Sequence, residues 1–117
     1  MKKMALLAWT LAALGAATAM AEAPKGDAAR GKAFYMKNLC YTCHGTAGQG
    51  GDRGSGPRIA PNPFPWDGFA EQIRRPRESM PRYPKEVISD QELGDIYAYV
   101  ASIKAGPKAS EIPLLKD

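Results

Sequence analysis

The chain is poor in the side chains from which most metal and catalytic sites are built. Its 117 residues hold two cysteines and one histidine. A structural zinc site takes three or four protein ligands, and there is no further Cys or His to complete one. No paired carboxylates, nucleophile–base pair or glycine-rich phosphate loop can be found, so nothing argues for hydrolysis or group transfer. No second long apolar run follows Met20, so the rest of the chain is not expected to insert stably in a bilayer. Internal repeats and strand-like alternation are also missing. The middle is short of core formers, with seven glycines and four prolines in the 24 residues from Gly45 to Gly68. A loop of that length is unusual in a small domain unless something else supplies apolar surface.

The first residues read as a targeting segment. Lys2 and Lys3 precede an alanine- and leucine-rich run from Met4 to Met20, and Ala19-Met20-Ala21 gives the small-x-small pattern of a cleavage site. Residues 1–21 are therefore expected to be a signal peptide, leaving residues 22–117 as a single domain with a short tail from about 108. The expected compartment is the periplasm. Two lysines leave with the signal, so 14 basic residues face 12 acidic ones, a balance of +2. That balance gives no reason to expect a nucleic-acid partner.

All the cysteine and histidine lies in one pentapeptide, Cys40-Tyr41-Thr42-Cys43-His44. C-x-x-C-H is the attachment signature for c-type haem. Two thiols add across the two porphyrin vinyl groups, and the two-residue spacer sets their separation. The histidine follows at once, so its imidazole can bind iron from below the ring. A thioredoxin-like pair would instead sit after a strand in a βαβ setting, and Asp27 to Leu39 looks helical. A plain disulfide would leave His44 unexplained. One covalent haem c on Cys40 and Cys43, with its iron on His44, is the expectation.

A second histidine ligand is excluded by counting, and methionine is the usual alternative. Met1, Met4 and Met20 leave with the signal, so Met36 and Met80 remain. Met36 lies four residues before Cys40, too close to reach the opposite face of the ring. Met80 is 37 residues beyond Cys43 and is followed by Pro81, which fixes the backbone after it. Met80 is the expected second axial ligand.

With these residues the chain resembles the class I (His/Met) c-type cytochromes, small exported proteins with one haem. The resemblance rests on a helix leading into Cys40-x-x-Cys43-His44, on Gly56-Pro57, on Met80-Pro81, and on a last helix patterned Leu93-x-x-Ile96-Tyr97-Ala98-Tyr99-Val100. It implies an all-α fold of three to four short helices around one haem. It also implies that the Pro57 carbonyl accepts the Nδ1 hydrogen of His44, a bond that orients the ring and raises its basicity. In that family a bulky aromatic stands four residues before the first cysteine. Met36 holds that place here, which implies a one-residue adjustment after Phe34 and Tyr35. Trp66, Arg58 and Arg74 are candidate partners for the haem propionates.

The remaining elements follow from local signals. Asp27 can cap a helix to about Asn38, with Ala33 and Phe34 facing inward and Gly31 admitting a close helix crossing. Pro63-Phe64-Pro65-Trp66 is expected to give the glycine-rich loop its apolar contacts. A short helix from Gly68 to Arg75 would present Phe69 and Ile73 on one face, ended by Pro76. Ser89-Asp90-Gln91-Glu92 is a capping box, with Ile88 stapled to Leu93. Leu93, Ile96, Tyr97 and Val100 form one stripe, and Gly106-Pro107 would stop the helix.

An iron with both axial positions filled offers no place for substrate, so the expected role is one-electron carriage rather than enzymatic turnover. The expected partners are redox proteins, a periplasmic dehydrogenase as donor and an oxidase or another cytochrome as acceptor, met by a monomer. Arg74, Arg75, Arg77, Arg82 and Lys85 bracket Met80 and could steer an acidic partner. Two other readings stay open at this point. One is a haem-carrying subunit held by a periplasmic oxidoreductase such as a dehydrogenase, with Pro63 to Phe69 as its apolar docking face. The other is a gas- or peroxide-handling haem with Met80 weakly bound or absent from the iron.

Overall fold

The computed structural model describes residues 21–115. The expected signal peptide, residues 1–21, lies outside the described residues except for Ala21. Helix α1 (Ala28–Lys37) leads into the one-turn α2 (Tyr41–His44), and α3 (Trp66–Arg74) and α4 (Asp90–Ser102) follow. Three 3-10 turns, at Asp52–Gly54, Ala109–Glu111 and Pro113–Leu115, complete the described elements. No strand occurs among the described residues, so the all-α expectation holds.

Helix α1 starts where the sequence places it. The Asp27 side chain accepts from the Arg30 amide at 2.8 Å, which satisfies a donor that the first turn leaves free. Tyr35 and Gly31 are buried and Phe34 packs half-buried on the core, but Ala33 is exposed, against expectation. The reason is register. Gly31 and Tyr35 are four apart and share the face that meets α4, while Ala33 lies on the opposite side. At Gly31 a Cβ would run into the Asp95 carbonyl of α4, so only glycine permits this crossing.

The implied one-residue adjustment before Cys40 is a Schellman turn. Leu39 takes φ +60°, its amide donates to Met36 O at 3.1 Å, and the Cys40 amide donates to Tyr35 O at 3.1 Å. Glycine usually fills that left-handed position, so Leu39 holds a backbone conformation that costs a side-chain-bearing residue of order 1 kcal/mol. The turn shifts the chain by one position. Tyr35, 1 % exposed, thereby fills the aromatic place that Met36 occupies by counting.

Helix α4 is the spine of the core. The capping box forms in both directions, with the Glu92 amide donating to Ser89 Oγ at 3.2 Å and the Ser89 amide donating to Glu92 Oε2 at 2.7 Å. Ile88, Leu93, Ile96, Tyr99 and Val100 are buried together with Tyr35, Phe69 and Ile73. The helix ends at Ser102, before Gly106-Pro107 is reached. There the Ser102 hydroxyl donates to Tyr99 O at 2.7 Å, and the Ile103 amide turns back to Val100 at 3.3 Å. A serine hydroxyl that takes a helix carbonyl competes with helix continuation.

Asp95 is a buried carboxylate at the crossing of α1 and α4. It accepts from the Asp27 amide at 2.7 Å, from Arg30 Nε at 2.9 Å and Nη2 at 3.1 Å, and from Gln91 Nε2 at 3.2 Å. The Arg30 hydrogen bonds hold its pKa below the ordinary carboxylate value, against burial, which pushes the other way. Helix α3 begins at Trp66, two residues earlier than expected, because the Pro65 carbonyl accepts from the Phe69 amide at 3.0 Å and closes a first turn. Phe69 and Ile73 are buried as the i,i+4 spacing predicts.

Candidate functional site

The pentapeptide forms α2 and its N-cap, so Cys40, Cys43 and His44 lie within one helical turn. All three are half-buried. Burial pushes the Cys40 thiol up to about 11. Redox dithiols work through a thiolate whose pKa is lowered, so the environment of Cys40 runs against a thioredoxin-like pair. No group of three or more His, Cys, Asp and Glu side chains gathers as a metal site among the described residues.

Tyrosine hydroxyls brace this turn at both ends. Tyr35 donates to Gly45 O at 2.7 Å, Tyr99 donates to Thr46 O at 2.8 Å, and Tyr83 donates to Asn38 O at 3.1 Å. The rings of Tyr35 and Tyr99 meet edge to face at 5.4 Å. Each phenol buries an apolar ring and satisfies a carbonyl beside the motif. None of the three was singled out from the sequence for this role, because their partners are backbone atoms that carry no sequence signal.

The glycine-rich loop folds back on the same turn. Gly50 donates to His44 O at 2.8 Å, and Ile59 and Ala60 donate to Gly48 O at 2.8 and 3.0 Å. Gly56 lies against the Cys43 carbonyl, where a Cβ would crowd the backbone. This close passage delivers Pro57, whose carbonyl is 2.8 Å from His44 Nδ1. A carbonyl can only accept, so Nδ1 carries the hydrogen and Nε2 is left with its lone pair. The loop is thus held by its own hydrogen bonds and by α2.

Met80 is half-buried and packs, as Cys40 does, against the core cluster. Gln72 Nε2 of α3 lies 3.7 Å from its sulfur. Met36 is exposed. The segment beyond Met80 returns to the motif through Tyr83, whose hydroxyl reaches Asn38.

The donor set fits a c-type haem. Two thiols on one helical turn, an imidazole nitrogen freed by its Pro57 bond, and a thioether on a later loop are the groups that such a cofactor takes. Arg74 is no candidate for a propionate, because its guanidinium is bonded to Tyr83 O, Ile88 O and Asp90. Trp66 packs edge-on against Tyr97 at 5.5 Å, and Phe69 does so at 5.0 Å. Of the apolar face drawn from Pro63 to Phe69, Phe69 and part of Trp66 are therefore spent on the core. Only Phe64 of its aromatics is exposed, at 67 %, so it gives the loop little apolar contact within the chain.

The family described as cytochrome c oxidase, cbb3-type, subunit III matches residues 26–100. The chain belongs to this family of c-type cytochrome domains. No curated protein and no solved structure matches the chain. Membership implies covalently bound haem c with iron, electron transfer as the task and redox proteins as partners.

Proposed function

We propose that this cytochrome is an exported, mono-haem one-electron carrier of the periplasm. In this reading Cys40 and Cys43 hold the haem covalently, and His44 and Met80 are the axial ligands of its iron. The observation that carries it is the 2.8 Å contact between His44 Nδ1 and the Pro57 carbonyl. It fixes the ring's tautomer and orientation, as a metal-bound histidine requires.

When bound, the haem supplies a one-electron ferric/ferrous couple. The protein's part is to hold that couple steady. Pro57 keeps the imidazole basic and stops it turning. Met80 offers a soft thioether, which favours ferrous iron and raises the potential over harder ligands. The hydroxyls of Tyr35, Tyr99 and Tyr83 tie the residues flanking the attachment turn to α1, α4 and the methionine loop. With His44 and Met80 both holding the iron, the site would offer no open position for a substrate, and the molecule would carry electrons without itself catalysing a reaction.

The test is intact mass of protein made in a host with cytochrome c maturation. The expected species runs from Glu22 and carries one haem that acidic solvent does not extract. A haem-free mass, or haem lost to the solvent, would end this reading.

A second reading is a haem subunit held permanently by a larger oxidoreductase, such as a periplasmic dehydrogenase. One observation favours it, since the matching family is described as an oxidase subunit. Mild extraction and size-exclusion chromatography separate the two. The carrier elutes as a small monomer, and the subunit elutes with its complex.

A further inference from the structure

The loop that carries Met80 has little structure of its own. From Arg75 to Ser89 it contains neither helix nor strand, and prolines at 76, 81 and 84 remove three of its amide donors. Besides the Tyr83 hydroxyl on Asn38 O and Lys85 on Asp90, several of its hydrogen bonds to the rest of the fold come from one side chain. Arg74, the last residue of α3, sends Nη1 to Tyr83 O at 2.9 Å and to Ile88 O at 2.7 Å. Its Nη2 meets Asp90 at 2.9 Å, at the first turn of α4. Its own carbonyl accepts from Arg82 Nε at 3.1 Å, and the neighbouring Ile73 carbonyl accepts from the Tyr83 amide at 3.1 Å. The Arg74 side chain is only 16 % exposed.

We infer that Arg74 is a positioning residue for Met80, a clamp that keeps the methionine loop closed over the site. The inference rests on the reading of Met80 as an iron ligand. A guanidinium offers five donors in a fixed plane and here serves two carbonyls and a carboxylate from two separate nitrogens, whereas the three donors of a lysine all sit on one nitrogen. Hydrogen bonds from a charged donor are among the stronger ones, and here they are partly shielded from water. Along the chain, Met80 lies between the exit of α3 and the carbonyls of Tyr83 and Ile88, so these bonds close the loop that carries it. Swinging the methionine away therefore requires these bonds to be strained or broken. The clamp sets how readily the sixth position opens to an outside ligand. Asp90 takes part from the α4 side and is shared with Lys85 Nζ at 2.7 Å.

The experiment uses the ferric holoprotein and imidazole as the competing ligand. Imidazole displaces an iron-bound methionine and abolishes the weak far-red sulfur-to-iron charge-transfer band. Arg74→Gln should bind imidazole roughly tenfold more tightly than wild type or better, in line with loss of charge-assisted hydrogen bonds. Arg74→Lys should fall between, and Lys32→Gln, which removes an exposed charge of α1, should match wild type. Far-UV dichroism should be unchanged in all three. If Arg74→Gln does not fold, Asp90→Asn removes one arm of the clamp and should give a smaller gain in the same direction. Equal imidazole affinity in wild type and Arg74→Gln would overturn the clamp while leaving Met80 as ligand. Helix loss in step with ligand entry would make Arg74 a general structural residue and also overturn it. A wild-type protein with no charge-transfer band would remove Met80 from the iron, and the clamp with it.

Discussion

Gly31 of α1 sits against the carbonyl of Asp95 in α4 with no room for a Cβ between them. This contact lets the two helices cross at backbone distance. The crossing in turn places Tyr35 against Tyr99, and Tyr35 holds the attachment turn through Gly45. Gly31→Ala should force the helices apart and lower stability by about 1–3 kcal/mol or more, the usual cost of overpacking a tight site. Alanine is the better helix former, so a helix-propensity view alone predicts stabilisation. Denaturant midpoints of the two holoproteins decide between these opposite signs.

Asp95 should make stability depend on pH in a defined sense. Its pKa is lowered in the fold, first by the Arg30 hydrogen bonds. A depressed carboxylate contributes stability that is present above its unfolded pKa, about 3.9, and is lost as pH falls through the folded value. Asp95→Asn should therefore cost about 1–3 kcal/mol at neutral pH, through weakened bonds to the Asp27 amide and Arg30. The gap from wild type should narrow below about pH 4. Thermal melts at neutral and acidic pH measure it, and a gap independent of pH would show that the charge of Asp95 contributes nothing.

The sequence was most legible where structure is decided by neighbours along the chain. The Asp27 cap, the Ser89–Glu92 capping box and the Phe69/Ile73 pair are local, and each forms as the spacing implies. The cysteine–histidine pentapeptide is local too, and a composition with so few candidate ligands leaves Met80 as the proposed second ligand by elimination. Features whose partners are backbone atoms far along the chain could not be read this way. Arg74 reads in the sequence as a propionate candidate and a member of a steering cluster, because the carbonyls it binds, Tyr83 and Ile88, have no side-chain signature. The Schellman turn at Leu39 was hidden because a leucine, not a glycine, takes the left-handed position. Asp95 went unnoticed on α4 because its place on the Gln91–Asp95–Tyr99 face matters only once α1 is packed there.

The two retained methionines should respond differently to removal. Met36 is exposed on α1, whereas Met80 packs against the core cluster beside Gln72. Met80→Ala should abolish the ferric charge-transfer band and lower the potential, because thioether ligation favours ferrous iron. Met36→Ala should leave the band and the potential unchanged. Spectra and redox titration of both variants check this, and the reverse pattern would mean that Met36 is the ligand. A wild type that lacks the band and binds carbon monoxide rapidly would point to gas handling.

The last prediction concerns the positive edge beside Met80. Five basic residues fall between Arg74 and Lys85, opposed only by Glu78. The structure divides them. Arg74 and Lys85 both spend their charge on Asp90. Arg75, Arg77 and Arg82 remain exposed, and Arg75 is only loosely paired with Glu71, at 3.5 Å. Arg75 and Arg77 also line one shallow depression with the exposed Phe64. Exposed charges contribute little to folding, but they raise encounter rates with an oppositely charged partner in a salt-dependent way. Arg75→Glu with Arg77→Glu should slow electron transfer to an acidic redox partner by roughly tenfold at low ionic strength. The deficit should shrink as salt is added, with melting temperature and potential nearly unchanged. Arg82→Glu should act in the same direction but more weakly, since Arg82 Nε is partly committed to the Arg74 carbonyl. Equal rates at low salt would remove steering from this edge. A deficit that persists at high salt would instead assign these arginines to fixed contacts, as the permanent-subunit reading requires.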